Sequence, residues 1–355
     1  MYDIINYFVT NVKILQSIPF WMVQAAFMLA GCGAVLGVAA LFAGVGSVVE
    51  RNIAGRIQAR YGPNRVGPWG WMQFLADGIK LVLKEDLIPD ASAKMPFRLA
   101  PYFIFTVAFA AFIVVPFSQK LQIADLNIGI LYIISVSSIV VIAILLAGWS
   151  SGNKWSLFGA MRSAAQIISY EVPVTITILA VIMMAGTMSM QEITAGQSGG
   201  IWRWFIFRYP LFTIPAFLVY YIASIAEVNR TPFDIPEAES ELVAGYHTEY
   251  SSMRFAMFMM SEYVNVLAVS AIAVTMFLGG WQSPYPGHIF PGIWSNIEGL
   301  FWFFSKTFFL VFLMMWIRWT LPRYRVDQLM DLCWKVLLPV SFINLFGICA
   351  WMLLA

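Results

Sequence analysis

Charge is what this chain of 355 residues has least of. Asp, Glu, Lys and Arg together make up 11% of it, against 60% hydrophobic residues. With a mean hydropathy of +0.77, that much apolar surface cannot be hidden inside one water-soluble globule, so lipid is the solvent the composition calls for. A net charge of +2 gives no basic field for nucleic acid, and none is expected as a partner. Histidine and cysteine are scarcer still. His247 and His288 lie far apart, and Cys32, Cys333 and Cys349 have neither metal-ligand nor paired spacing. No metal, haem or iron–sulfur site can be assembled from that inventory. Two of the cysteines sit in apolar runs and read as small core residues. There is no internal repeat, low-complexity tract or soluble domain, so 1–355 reads as a single integral membrane domain.

What is present is a series of apolar runs. Residues 14–49 carry no charge, which is too long for a cleaved signal and long enough to span with tilt. Gly33 and Gly37 form a GxxxG there, read as helix packing. A bilayer core needs about 20 apolar residues per helix. Runs of that kind fall near 20–49, 99–117, 128–149, 164–189, 208–227, 255–279, 299–318 and 336–354. The predicted fold class is therefore all-α: a polytopic membrane protein with eight transmembrane helices and one interfacial amphipathic helix. The segments after the first, third, fifth and seventh runs hold sixteen Lys and Arg, against five elsewhere (Lys13, Lys120, Arg203, Arg208 and Lys306). The positive-inside rule puts the first set in the cytoplasm and both termini outside. The inner loops then cover about 50–98, 150–163, 228–254 and 319–335.

The amphipathic helix is expected in PWGWMQFLADGIKLVLKE (68–85), which opens on Pro68, a good first-turn residue. Met72, Leu75, Ile79 and Val82 recur at helical spacing, with Gln73, Asp77, Lys80 and Lys84 on the opposite stripe. On the pattern alone this is an interfacial anchor with a solvated polar face.

Ionisable residues within the spans are the costly ones, and they face a protein interior or a hydrated path. Glu171 lies in the fourth, beside Pro173, which is expected to kink the helix because it would clash with the Ser169 carbonyl. Glu227 closes the fifth, Glu262 lies in the sixth and Lys306 in the seventh. A single such group is as readily a structural ion pair, for example Lys306 with one of the acids. Four in one chain point to a proton path. Next to Glu227 stands EVNRTPFDIPEAESELVAGYHTEY (227–250), with six carboxylates and one arginine, Arg230. A short helix ending at Gly245 would account for one or two acids near its first turn. Asp234, Glu237, Glu239 and Glu241 exceed that need, and Glu237 and Glu241 would repel on one helical face. The stretch reads as an acidic funnel feeding the buried acids.

These same residues carry a family likeness. ERNIAGRIQARYGPNRVGPWGWMQFLADGIKLVLKE (50–85) resembles the first inner loop of the H-subunit family of NADH-quinone oxidoreductase, the quinone-site membrane component of respiratory complex I. GAMRSAAQIISYEVP (159–173), AEVNRTPFDIPEAESELVAGYHTEYSSMRF (226–255) and RWTLPRYRVDQLMDLCWK (318–335) resemble it too, and the likeness covers all eight runs in order. It implies that Arg51, Arg60, Arg65, Asp77 and Lys80 line or brace a quinone tunnel. Arg230, Asp234, Glu237, Glu239 and Glu241 would lie near the quinone cavity, beside the hydrophilic arm. Glu171, Glu227 and Glu262 would belong to a buried acidic chain leading from that cavity into the membrane, and Arg318 and Arg323 match the arginines of the last inner loop. The implied substrate is a quinone, taken as ubiquinone, whose head group is held mainly by a neighbouring chain of the complex. The implied partners are the hydrophilic-arm subunits, with their FMN and iron–sulfur clusters, the antiporter-like membrane subunits and the lipid bilayer. The implied location is the bacterial inner membrane, with the mitochondrial inner membrane as the alternative.

Other readings differ in what they leave unexplained. A stand-alone secondary transporter would show inverted repeats with paired broken helices, and only the fourth run has a proline beside an acid. The membrane subunit of a proton-pumping hydrogenase would not need the quinone-tunnel-like first loop. A purely structural anchor would not need the buried acids.

Overall fold

A computed structural model describes residues 19–236, 239–287 and 294–354, and the described residues form helices joined by loops. Eight helices are long and apolar enough to cross a membrane: Phe20–Ile57, Lys94–Ile113, Gly129–Ser150, Lys154–Ala185, Pro210–Glu227, Ser252–Phe277, Trp294–Thr320 and Val326–Leu354. We call them spans one to eight. Their number and order agree with the hydropathy reading, but several ends do not. Span four starts at Lys154, ten residues before its apolar run, because Asn153 caps it by accepting a hydrogen bond from the Trp155 amide at 3.0 Å. Hydropathy reports the stretch that tolerates lipid, whereas the helix continues into polar sequence carrying Lys154 and Arg162.

Span six is the centre of the bundle. Its residues 266–277 are buried without a break, as a helix enclosed on all sides must be. It packs against spans one, two, five and seven, while span four packs against three, five and eight. Span one is the opposite case, with its first half exposed on nearly every face, including Leu29 and Leu36.

Pro173 does not break span four, which runs unbroken to Ala185. A proline leaves the carbonyl four residues earlier without its helical donor. Here that carbonyl belongs to Ser169, and the Cys333 thiol of span eight donates to it at 3.1 Å. Cys333 reaches it from a π-helical turn, Leu332–Leu337, that offsets the entrance of span eight.

The amphipathic helix forms over Gln73–Leu83, just after a tight turn through Pro68–Gly70. Gly70 has φ +77°, and a Cβ there would fall 1.9 Å from the Pro63 carbonyl oxygen, so the GPNRVGP turn closes only on glycine. The helix packs on spans one and six, turning Gln73, Phe74, Asp77 and Leu81 inward. Its stripe of Met72, Leu75, Ile79 and Val82 faces away from the protein and stays exposed. Ser252 donates to the Leu81 carbonyl at 3.0 Å and Arg254 pairs with Asp86 at 2.9 Å, which fastens the far end to span six.

Candidate functional site

The inner end of span five sets the geometry of the site. After Glu227 the chain reverses in a Schellman turn: the Arg230 amide donates to the Ile225 carbonyl at 3.2 Å and the Asn229 amide to that of Ala226 at 3.1 Å. Asn229 takes the left-handed conformation this requires (φ +54°), which asparagine tolerates better than most residues. Gln166 of span four holds the turn by donating to the carbonyls of Ala226 (2.7 Å) and Phe233 (2.8 Å). The reversal sends the Arg230 side chain back into the bundle.

There it meets three groups, one of which is shared with a second arginine. Its Nη1 lies 2.9 Å from a Glu50 carboxylate oxygen and its Nε 2.9 Å from Glu262. Its guanidinium lies over the Tyr263 ring at 4.5 Å, and Arg318 of span seven closes on Glu50 from the other side. Glu50 is 3% and Arg230 4% exposed, so both charges have left water. Two carboxylates and two guanidiniums make the group formally neutral, the condition under which charges this deep are tolerated. Burial alone would pull Arg230 below its usual value, but the charges of Glu262 and Glu50 outweigh it and push its pKa up.

Glu50 has no mark of a site in the sequence. It is the first charge after the uncharged run 14–49 and reads there as the start of a loop. The helix continues to Ile57 and keeps it inside.

Its neighbour Arg51 makes a second group. Arg51 donates to Asp77 of the amphipathic helix at 2.7 Å, Gln73 donates to the same carboxylate at 3.1 Å, and Lys80 stands 3.9 Å away. Burial raises the Asp77 pKa, but these hydrogen bonds and the charges of Arg51 and Lys80 carry it below its usual value. Arg65 lines an open cleft between the 61–65 turn and Gln73. Arg60 turns instead to Gln58, 2.7 Å away.

The acidic stretch is paired more widely than its composition suggests. Asp234 meets Arg323 at 2.9 Å, Glu241 meets Arg162 at 2.6 Å, and Glu249 accepts from Asn153 at 2.6 Å. The expectation of a cluster with only Arg230 nearby therefore fails for Asp234 and Glu241, whose arginine partners come from segments distant in sequence, whereas the Asn153 amide that meets Glu249 carries no charge. Gly159 allows it: a Cβ there would lie 2.7 Å from the Gly245 Cα, so the loop rests directly on span four. Glu237 and the side chain of Glu239 lie outside the described residues.

Two small cavities meet at Glu227. The smaller, about 30 Å³, is lined by Asn229, Tyr246, Ser261, Glu262, Asn265 and Glu227 among others. The larger, about 80 Å³, is mostly apolar, its polar lining being Ser137, Tyr220, Glu227 and Asn265. Glu227 belongs to both, so a carboxylate stands where they meet. Glu171 is on the outer side of this wall, where Ser138 of span three donates to its carboxylate. Among the described residues, Lys306 joins none of the acids by an ion pair. Its ammonium donates to the carbonyls of Leu278, Gly280 and Gln282 at 2.7–3.0 Å, at the opposite end of span six.

Residues 30–349 match the family described as NADH dehydrogenase. The chain is similar to the H subunit of the NADH-quinone oxidoreductase of Chlorobaculum parvum, at 50% identity over 312 residues covering 86% of each chain. That of Anaeromyxobacter dehalogenans is 45% identical over 349 residues, covering 94% of this chain and 82% of its own. That of Bacteroides thetaiotaomicron is 48% identical over 302 residues, covering 84% and 83%. With its eight apolar helices and these matches over most of its length, the chain belongs to the H-subunit family of NADH-quinone oxidoreductase.

Proposed function

We propose that the chain is the membrane subunit of a proton-pumping NADH-quinone oxidoreductase in which the amphipathic helix and the Arg51–Asp77–Lys80 group wall the quinone tunnel. In this reading electrons reach quinone through partner subunits carrying FMN and iron–sulfur clusters. Partner subunits of the hydrophilic arm would cover the loops bearing Arg60, Arg65, Asp234, Glu237, Glu239, Glu241 and Arg323. The antiporter-like subunits would adjoin the bundle within the bacterial inner membrane, with the positive loops on the cytoplasmic side. The substrate is a quinone, with ubiquinone as the working assignment.

The observation that carries the reading is the continuity from the hub to Glu227. Glu50, Arg230, Glu262 and Arg318 form a neutral group, Glu262 opens on the smaller cavity, and Glu227 links that cavity to the larger one. Reduction of quinone to quinol takes up two protons and changes the charge balance near the hub. Glu262 would answer by changing its share of Arg230, and protons would pass between Glu262 and Glu227 through water held in the cavities, with Glu171 beyond the cavity wall as the next acid. Each cavity has room for at least one water molecule.

The test is turnover and proton uptake by the whole enzyme in sealed vesicles carrying Glu227→Gln, Glu171→Gln or both. Glutamine keeps the volume and fixes the charge at zero. Quinone-linked turnover and pumping should fall together, while NADH oxidation by a hydrophilic artificial acceptor survives. Normal rates and normal pumping in the double variant would remove the relay.

A further inference from the structure

We propose that Asn265 is a positioning residue that holds water between Glu262 and Glu227 where the two cavities join. This deepens the relay reading and rests on it. Five residues line both cavities. Val140, Ile167 and Val228 are apolar, which leaves Glu227 and Asn265 as the two polar groups at the junction. Glu262 lines only the smaller cavity, and Tyr220 only the larger. A proton leaving Glu262 for Glu227 crosses the smaller cavity, where the Asn229 amide is engaged by Gln166 and Ser163 and the Ser261 hydroxyl by the Phe258 carbonyl, and where Asn265 alone of the neutral polar side chains also reaches the larger cavity.

That side chain sits where it must. Asn265 follows Glu262 by three residues on span six, so the two lie on one face of the helix, a turn apart. Its amide carries two donor hydrogens and an oxygen with two lone pairs. It can accept from one water and donate to the next, holding the two in contact, so that the water-to-water hydrogen bond beside the amide runs from Glu262 toward Glu227. The amide does not titrate and stores no proton. Its role is to fix the water that the acids use. The smaller cavity, with about 30 Å³ open to water centres, has room for about two water molecules. With so few waters to share the path, loss of the anchor is not made good by its neighbours, and an apolar side chain there would leave Glu227 as the one polar group beside Val140, Ile167 and Val228 at the junction.

The discriminating experiment compares Asn265→Val with Asn265→Thr in the whole enzyme, reconstituted in sealed vesicles. The two side chains have nearly the same shape and differ by one hydroxyl, so packing effects cancel between them. Three quantities are measured per assembled enzyme: quinone-linked NADH oxidation, protons taken up, and the solvent deuterium isotope effect on turnover. Asn265→Val should slow quinone-linked turnover by about tenfold or more and enlarge the isotope effect, with artificial-acceptor activity intact. Asn265→Thr should recover most of the rate. If Asn265→Val does not assemble, the pair Asn265→Ala and Asn265→Ser differs by the same hydroxyl and is read in the same way. Equal rates in the two members of the pair overturn the proposal. Glu227→Gln, run alongside, separates the failures. If it is slow while the Asn265 pair is indistinguishable, the relay stands without Asn265. If it too is normal, the relay and the role of Asn265 fall together.

Discussion

Cys333 donates its thiol to the Ser169 carbonyl at 3.1 Å, the one carbonyl of span four that Pro173 deprives of its helical partner. The contact joins spans four and eight at the depth of Glu171, two residues further on. Cys333→Ser keeps a donor at this place, whereas Cys333→Ala leaves a carbonyl buried and unsatisfied, at about 1–3 kcal/mol. Thermal inactivation of the purified enzyme should therefore start at lower temperature for Cys333→Ala than for Cys333→Ser. Identical curves would show that the thiol contributes packing only.

Glu50 carries the hub. Its removal as Glu50→Ala leaves Arg230 with Glu262 alone and deprives Arg318 of its acid, and breaking a buried pair costs about 3–5 kcal/mol. The expected result is a sharp drop in assembled enzyme on native gels, with Glu50→Gln less severe because its amide oxygen still accepts from Arg230. A normal yield of Glu50→Ala would mean that the two arginines find water there.

The Asp77 carboxyl should behave as a permanent charge. Its pKa in the fold lies below the ordinary 3.8. The stabilisation from Arg51 is therefore fully present above the ordinary value and is lost only as the pH falls through the folded one. Asp77→Ala should raise the apparent KM for quinone several-fold and leave the artificial-acceptor rate unchanged. The ratio of variant to parent KM should also stay flat between about pH 6 and 8, since nothing at this carboxylate titrates there. Equal loss of both activities would indicate misassembly instead.

Orientation is open to a direct measurement. The charge asymmetry between alternate loops places the Glu50 hub, the amphipathic helix and the acidic stretch on the inner face. A reporter fused after Ala355 should then be active only on the outer side. Activity inside would reverse the assignment of every loop.

The spans and the amphipathic helix were legible because each is a local pattern: about 20 apolar residues for a span, a 3.6-residue period for the surface helix. Glu171, Glu227 and Glu262 stood out for the same reason, as charges interrupting apolar runs. Partnership is not local. Glu50 meets Arg230 and Arg318 from 180 and 268 residues away, and nothing in the residues around position 50 announces that. The acidic stretch looked uncompensated because Arg162 and Arg323 belong to other loops. Asn265 is harder still to find by reading. A neutral amide in a membrane helix reads as packing until the cavities on either side of it are known.

Glu50 and Arg51 are consecutive, and on a helix of 3.6 residues per turn consecutive side chains point about 100° apart. One is engaged with the buried hub and the other with the surface helix. The inner end of span one is therefore a crankshaft with two throws. A rotation of that helix about its axis moves both pairs together, so displacement of the surface helix would reach Glu50 mechanically, with no diffusing messenger.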